Sequence, residues 1–274
     1  METVQNSIEV AGAALDASRA RVVLFDFDGT LSLIRSGWVD VMVPMMVECL
    51  LRLKTGESGQ DLTDTVEDYV GRLTGKQTIY QMIELAGQIR RRGGQPLEAL
   101  EYKHMYLSRL NDKIKDRVEG LRNGTFVPDE LLVPGSRRLL AALRERDLKL
   151  YLASGTDQPY LREEARLLQI DSYFEGRIFG ALDDYQLFSK KILIDKIISE
   201  SDFAGEEFLA FGDGYVEIQN VKQVGGVAVG VATDEPLCAR VDEIKRKRLL
   251  DVGADWIIPN FSAHDELMQT LFPS

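Results

Sequence analysis

The chain has 274 residues, 45% hydrophobic and 28% charged, with a formal net charge of −11. That length can hold a large core and two domains, and the acidic balance argues against a nucleic-acid or anionic-membrane partner. An anionic ligand would have to be drawn by a local positive site. The two cysteines, Cys49 and Cys238, lie in apolar segments that read as helical, which points to a reducing, cytoplasmic setting without a disulfide.

Residues 1–19 read as a short, partly ordered leader. Glu2, Glu9 and Asp16 interrupt it and it has no apolar run, so no secretory signal is expected. The apolar run at 21–27 predicts a buried strand that ends in Asp26-Phe27-Asp28-Gly29-Thr30. Two acids two residues apart on extended chain share a face, where like charges are costly unless a cation or a proton is shared between them. Residues 31–36 read as a hinge. From 37 to 133 the pattern is helical, with helices at 37–54, 62–73 and 77–92 and a long one opening at Pro96. The span 37–53 is the most apolar, but Asp40, Pro44 and Glu48 interrupt it and it is short for a membrane span. It is expected as a helix buried between insertion and core.

After Pro134-Gly135 helices and strands alternate. Helix 136–146 precedes strand 148–153, and helix 158–168 precedes a weaker strand at 177–181. Helix 190–200 precedes strand 207–211, helix 216–224 precedes strand 226–231, helix 236–250 precedes strand 255–258, and a last helix covers 263–271. Such alternation predicts a parallel sheet with helices on both faces and ligands at the carboxyl ends of the strands. Asp26, Asp28, Ser154 and Asp213 all fall at those ends. His104 and His264 show no metal spacing. Gly71 to Thr78 only faintly echoes a phosphate-binding loop, since it is one residue short and follows a helix. Arg90-Arg91-Arg92 and Lys245-Arg246-Lys247-Arg248 read as solvated helix faces.

Four segments in order resemble the motifs of the haloacid dehalogenase-like superfamily, and specifically its magnesium-dependent phosphatases with a helical cap. They are Asp26-Phe27-Asp28-Gly29-Thr30, Ser154-Gly155-Thr156 after an apolar strand, the lysine of Ser189-Lys190-Lys191, and Gly212-Asp213 running on to Glu217. Asp is commoner than Glu at the last position. The resemblance implies an α/β fold, with a Rossmann-like parallel sheet core (1–33 and 134–274) and an inserted all-α cap domain (34–133). It implies Asp26 as nucleophile and Asp28 as general acid and base. It implies Mg²⁺ bound by Asp26, the Asp28 carbonyl and Asp213, with Glu217 acting through water. Ser154, the Gly155 N–H and a lysine would hold the phosphoryl group. Ser189 as N-cap favours Lys190 for that lysine over Lys191. The substrate expected is a small phosphoester of the sugar or polyol phosphate class, read by cap residues such as Lys76 and Arg35. Dehalogenases and phosphonatases of the superfamily lack the acid at Asp28. A phosphomutase on the same scaffold is an alternative. A phospho-acceptor regulatory module is another, disfavoured by the long insertion.

Overall fold

A short apolar strand buried on both faces belongs in the middle of a sheet, and Val22–Phe25 (β2) takes that place. The computed structural model describes residues 8–12, 15–182 and 184–273. In it β2 pairs in parallel with Phe208–Gly212 (β5) on one side and with Lys149–Asp157 (β3) on the other, Phe25 lying opposite both Phe211 and Leu152. Ile178–Ala181 (β4) lies outside β3. Val227–Val231 (β6), Trp256–Ile258 (β7) and Glu9–Val10 (β1) extend the sheet beyond β5, in the order β1-β7-β6-β5-β2-β3-β4. Only β1, which pairs with β7, runs antiparallel. β1 puts an edge strand in the leader, too short for any periodic pattern to announce it; residues 1–7 and 13–14 of that leader lie outside the described residues.

The chain moves outward from β2 to β3 and β4, then returns to β5 on the opposite side of β2. The direction of winding therefore reverses between β2 and β5, and the carboxyl ends of these strands border a crevice. Side chains of β2 alternate between two cores. Val23 and Phe25 join one, where Phe25 stacks on Phe211 at 4.9 Å between ring centroids. Val22 and Leu24 join the other, with Phe208, Ala210, Ile194 and Ile218. Burial of these apolar side chains is what fixes the strand in the middle.

Four helices fill the insertion: Val39–Leu51 (α1), Gly59–Leu73 (α2), Thr78–Arg91 (α3) and Ala99–Asn123 (α4). Their buried residues, among them Met42, Val66, Leu85 and Leu110, are continuous with the first core. The long helix starts three residues after Pro96, because Glu98 and Glu101 form a capping box at Ala99. The remaining helices are Ser136–Glu145 (α5), Gln158–Leu167 (α6), Lys190–Glu200 (α7), Tyr215–Gln223 (α8), Glu243–Asp251 (α9) and His264–Leu271 (α10). α9 begins well after the expected residue 236. Asp242 caps it by accepting from the Ile244 and Lys245 N–H groups, each at 2.9 Å. Cys238 accordingly sits in a loop with φ +51, not in a helix, and both cysteines are free and buried. No helix among the described residues is long and apolar enough to cross a membrane.

Candidate active site

Pairing with β5 continues one residue past β2, where the Asp26 N–H donates to the Phe211 carbonyl at 2.9 Å. The chain then turns sharply. The Thr30, Leu31 and Ser32 N–H groups converge on the Phe27 carbonyl at 3.2, 2.8 and 2.9 Å. Thr30 does more than fix this turn: its Oγ1 accepts from the Asp213 N–H at 2.9 Å, joining the turns after β2 and β5.

Asp26 faces a buried lysine. Ser189 caps α7 as expected, its Oγ accepting from the Ile192 N–H at 3.1 Å, which places Lys190 in the first turn. The Lys190 Nζ donates to Asp26 Oδ1 at 2.7 Å and to Glu217 Oε2 at 2.6 Å, whereas Lys191 is exposed and pairs with Asp195. Burial opposes the charge on Lys190, but Asp26 and Glu217 outweigh it and raise its pKa, so the ammonium persists. Burial also pushes Asp26 well above the usual carboxylate range. Lys190 opposes that rise, while Glu217 and Asp213 add to it. An acid cluster of this kind is short of positive charge. Asp26, Asp213 and Glu217 each bring one oxygen within 4.8 Å of the others, and a set of hard carboxylate oxygens suits Mg²⁺. Glu217 is fully buried, and its second oxygen accepts from the Gly214 N–H at 2.9 Å. Its two oxygens thus hold Lys190 and the turn.

Asp28 lies on the other side of the crevice. Its Oδ2 accepts from Thr156 Oγ1 at 2.8 Å and from Ser154 Oγ at 3.3 Å. Its Oδ1 is buried without a hydrogen-bond partner among the described residues, and Arg35 Nε stands 3.9 Å away. Burial raises the Asp28 pKa, against the pull of Arg35 and Thr156. Such a carboxyl keeps its proton to higher pH than an ordinary aspartate, as a general acid must. This has a consequence for stability. Between the unfolded and the raised folded pKa the native state binds more protons, so this group's contribution falls as pH rises. Asp28→Asn is expected to raise the melting temperature at pH 8 by about 2–4 °C, the size of roughly 1 kcal/mol in a chain this long. The gain should shrink as pH falls toward 4, and thermal melts across that range check it.

Ser154 and Gly155 sit on extended chain where the β3–β4 register shifts, because β3 continues to Asp157. A Cβ on Gly155 would lie 2.6 Å from the Lys76 carbonyl, so the turn between α2 and α3 reaches down onto the second motif. Gln77 fastens that turn, its Nε2 donating to the Tyr185 and Phe188 carbonyls at 2.9 and 2.5 Å. The turn separates two cavities. One, of about 80 Å³, has Asp26, Asp28 and Ser154 on its core side and Trp38, Gln81 and Tyr106 on its helical side. The other, of about 260 Å³, is lined by Lys76, Tyr80, Lys190, Lys191 and Tyr215. Lys76 is exposed and borders both.

Arg35 also borders the first cavity, but its charge is already matched. Its Nε lies 3.1 Å from both Glu164 oxygens and its Nη2 lies 2.7 Å from Oε1, with both side chains buried. Arg35, expected among the cap residues that read the substrate, is held beside Asp28 by Glu164. Sequence reasoning did not single out Thr156, Glu164 or Gln81. It also placed Lys245 on a solvated face, whereas Lys245 Nζ stands 2.9 Å from Asp213 Oδ2 and 2.7 Å from Glu235 Oε1. The Asp242 cap was the one local signal that could have oriented Lys245.

The haloacid dehalogenase-like hydrolase family model matches residues 20–225. A sequence comparison with curated proteins gives no match. Similar solved structures include β-phosphoglucomutase from Clostridium difficile, with TM-score 0.59 and 11% identity over 92% of this chain and 97% of that one. A predicted phosphoglycolate phosphatase from Haemophilus somnus gives TM-score 0.58 and 13% identity over 92% and 99%. CbbY from Rhodobacter sphaeroides, in complex with xylulose-(1,5)bisphosphate, gives TM-score 0.56 and 18% identity over 89% and 95%. At these identities the likeness is one of fold. The family match covers most of the sequence and spans all four motifs, and the chain belongs to the haloacid dehalogenase-like hydrolases.

Proposed function

We propose that this hydrolase is a Mg²⁺-dependent phosphatase acting on a small phosphorylated metabolite of the sugar or polyol phosphate class, with residues 34–133 as the cap over a core of 1–33 and 134–274. One observation carries the reading. An aspartate paired with a buried lysine (Asp26) and a second aspartate with a raised pKa and one unpartnered oxygen (Asp28) face a single cavity. Perturbed titratable groups gathered in one cavity mark a functional site, and the Lys190 ammonium on Asp26, against the neutral Thr156 and Ser154 hydroxyls on Asp28, is what supports Asp26 as the nucleophile and Asp28 as the acid.

Asp26 attacks phosphorus, forming a phosphorus–oxygen bond as the ester bond breaks. Asp28 gives its proton to the departing alkoxide oxygen. In the second half, the Asp28 carboxylate takes a proton from water while the water oxygen bonds phosphorus. The bond to Asp26 breaks, inorganic phosphate leaves, and both residues return to their starting states. The Lys190 ammonium lies beside the nucleophile, where it can face a phosphoryl oxygen. Ser154 Oγ and the Gly155 N–H offer donors on the opposite side. Mg²⁺, held by Asp26, Asp213 and the Asp28 carbonyl, would neutralise charge on the transferring group. The matched Arg35–Glu164 pair keeps Asp28 positioned without adding net charge to the cavity.

The reading is tested by phosphate release from a panel of sugar, polyol and other phosphomonoesters, with Mg²⁺ and with a chelator. Turnover of some members that stops on chelation is expected, and no release from any would end the proposal. Within it, Lys76 at the cavity mouth reads the leaving group. Lys76→Ala is expected to raise KM for the preferred substrate severalfold while barely changing p-nitrophenyl phosphate hydrolysis. Parallel kinetics on the two esters check this, and equal losses would count against it.

A further inference from the structure

The loop after β6 and the start of α9 belong to none of the four motifs, yet both reach the acid cluster. Lys245 sits in the first turn of α9, where the helix dipole disfavours a cation. It is held there from both ends. Asp242 caps the helix on the Lys245 N–H, and the next residue, Arg246, pairs with Glu9 of β1. The Lys245 side chain is only 19% exposed, and its Nζ bridges Asp213 Oδ2 at 2.9 Å and Glu235 Oε1 at 2.7 Å. The turn after β2 is shaped to this pair. Gly29 has φ +73, and a Cβ there would lie 2.4 Å from Asp213 Oδ2 and 2.7 Å from Glu235 Oε1. Any other residue at 29 would meet both carboxylates.

The crevice thus contains two similar bridges. Lys190 joins Asp26 to Glu217, and Lys245 joins Asp213 to Glu235. Only the first comes from a recognised motif. The second holds Asp213 by its Oδ2 and so sets a fixed positive charge beside the acid cluster. A fixed ammonium beside a metal ligand does two things at once: it orients the carboxylate, and it weakens the site's attraction for a second cation by Coulomb repulsion. Glu235 offsets that repulsion, because it adds a negative charge and draws on the same ammonium.

We propose that Lys245 and Glu235 are positioning residues for Asp213 and form a built-in counter-ion pair that sets how tightly the acid cluster holds a divalent cation. Lys245 lowers the affinity and Glu235 raises it. The proposal rests on the reading of Asp213 as a metal ligand.

The test is calorimetric titration of Mn²⁺ into the intact protein and its variants, without substrate. Lys245→Met should tighten Mn²⁺ binding and Glu235→Gln should weaken it, each by roughly tenfold, the scale of one unit charge a few ångströms from a divalent ion. Lys245→Arg, which keeps the charge, should stay within about twofold of wild type. Opposite shifts are the signature, since loss of mere structural support would weaken binding in both neutral variants. If Lys245→Met does not fold, Lys245→Gln replaces it, with tighter Mn²⁺ binding expected and weaker binding overturning the proposal. Affinities within twofold of wild type in both neutral variants, or a loss in both, would overturn the proposal. A wild-type protein that binds no Mn²⁺ would overturn the metal reading of Asp213, and the proposal with it.

Discussion

Asp26→Asn is expected to lower turnover by at least ~10³-fold while leaving the protein folded. The amide nitrogen cannot form the phosphoryl bond, and the remaining oxygen is a far weaker nucleophile than a carboxylate. The fold should tolerate the change. Asparagine has the same shape, its oxygen can still accept from Lys190, and it is neutral where burial already disfavours charge on Asp26. Lys190 would remain bridged to Glu217. Steady-state phosphate release gives the activity and far-UV circular dichroism the fold. Activity within about tenfold of wild type, in a folded variant, would remove the covalent mechanism.

What the sequence made legible was local. Asp26 and Asp28 stand out because two acids close a buried strand. Lys190 stands out because Ser189 caps the helix that carries it, and Asp213 because Gly212 closes the next central strand. In each case a neighbour within three residues fixes the geometry, so a one-dimensional reading suffices. The partners that tune these residues lie far off in sequence. Glu164 meets Arg35 across 129 positions, and Lys190 meets Asp26 across 164. Lys245 shows the limit most clearly. Its neighbours Arg246, Lys247 and Arg248 make one charged run, and nothing in that run distinguishes the member that turns inward. What decides it is the start of α9 at the Asp242 cap, which lay inside the helix expected from residue 236. β1 was hidden for a different reason: a two-residue edge strand owes its existence to pairing with β7, not to any pattern of its own.

Removing either acid after β5 should give a different defect in each case. Asp213 points toward Asp26 and Lys245, whereas Glu217 is buried and bound to Lys190 and the Gly214 N–H. On the proposed reading Asp213→Ala removes a carboxylate from the cation's donor set, and it leaves Lys245 held only by Glu235. It is expected to raise the Mg²⁺ concentration needed for half-maximal activity by at least ~10-fold, the scale of losing a metal ligand or its support. Glu217→Gln keeps the shape and can still accept from Gly214, but it weakens the hold on Lys190. With its second carboxylate neutralised, that ammonium leans more fully on Asp26 and blunts it as the proposed nucleophile. The expected result is a lower kcat at saturating Mg²⁺ with a smaller change in the activation constant. Mg²⁺ titrations of the two variants beside wild type separate these outcomes. An unchanged activation constant in Asp213→Ala would remove it from the metal site. A larger shift in Glu217→Gln than in Asp213→Ala would move the principal ligand to Glu217 and make the Lys190 contact secondary.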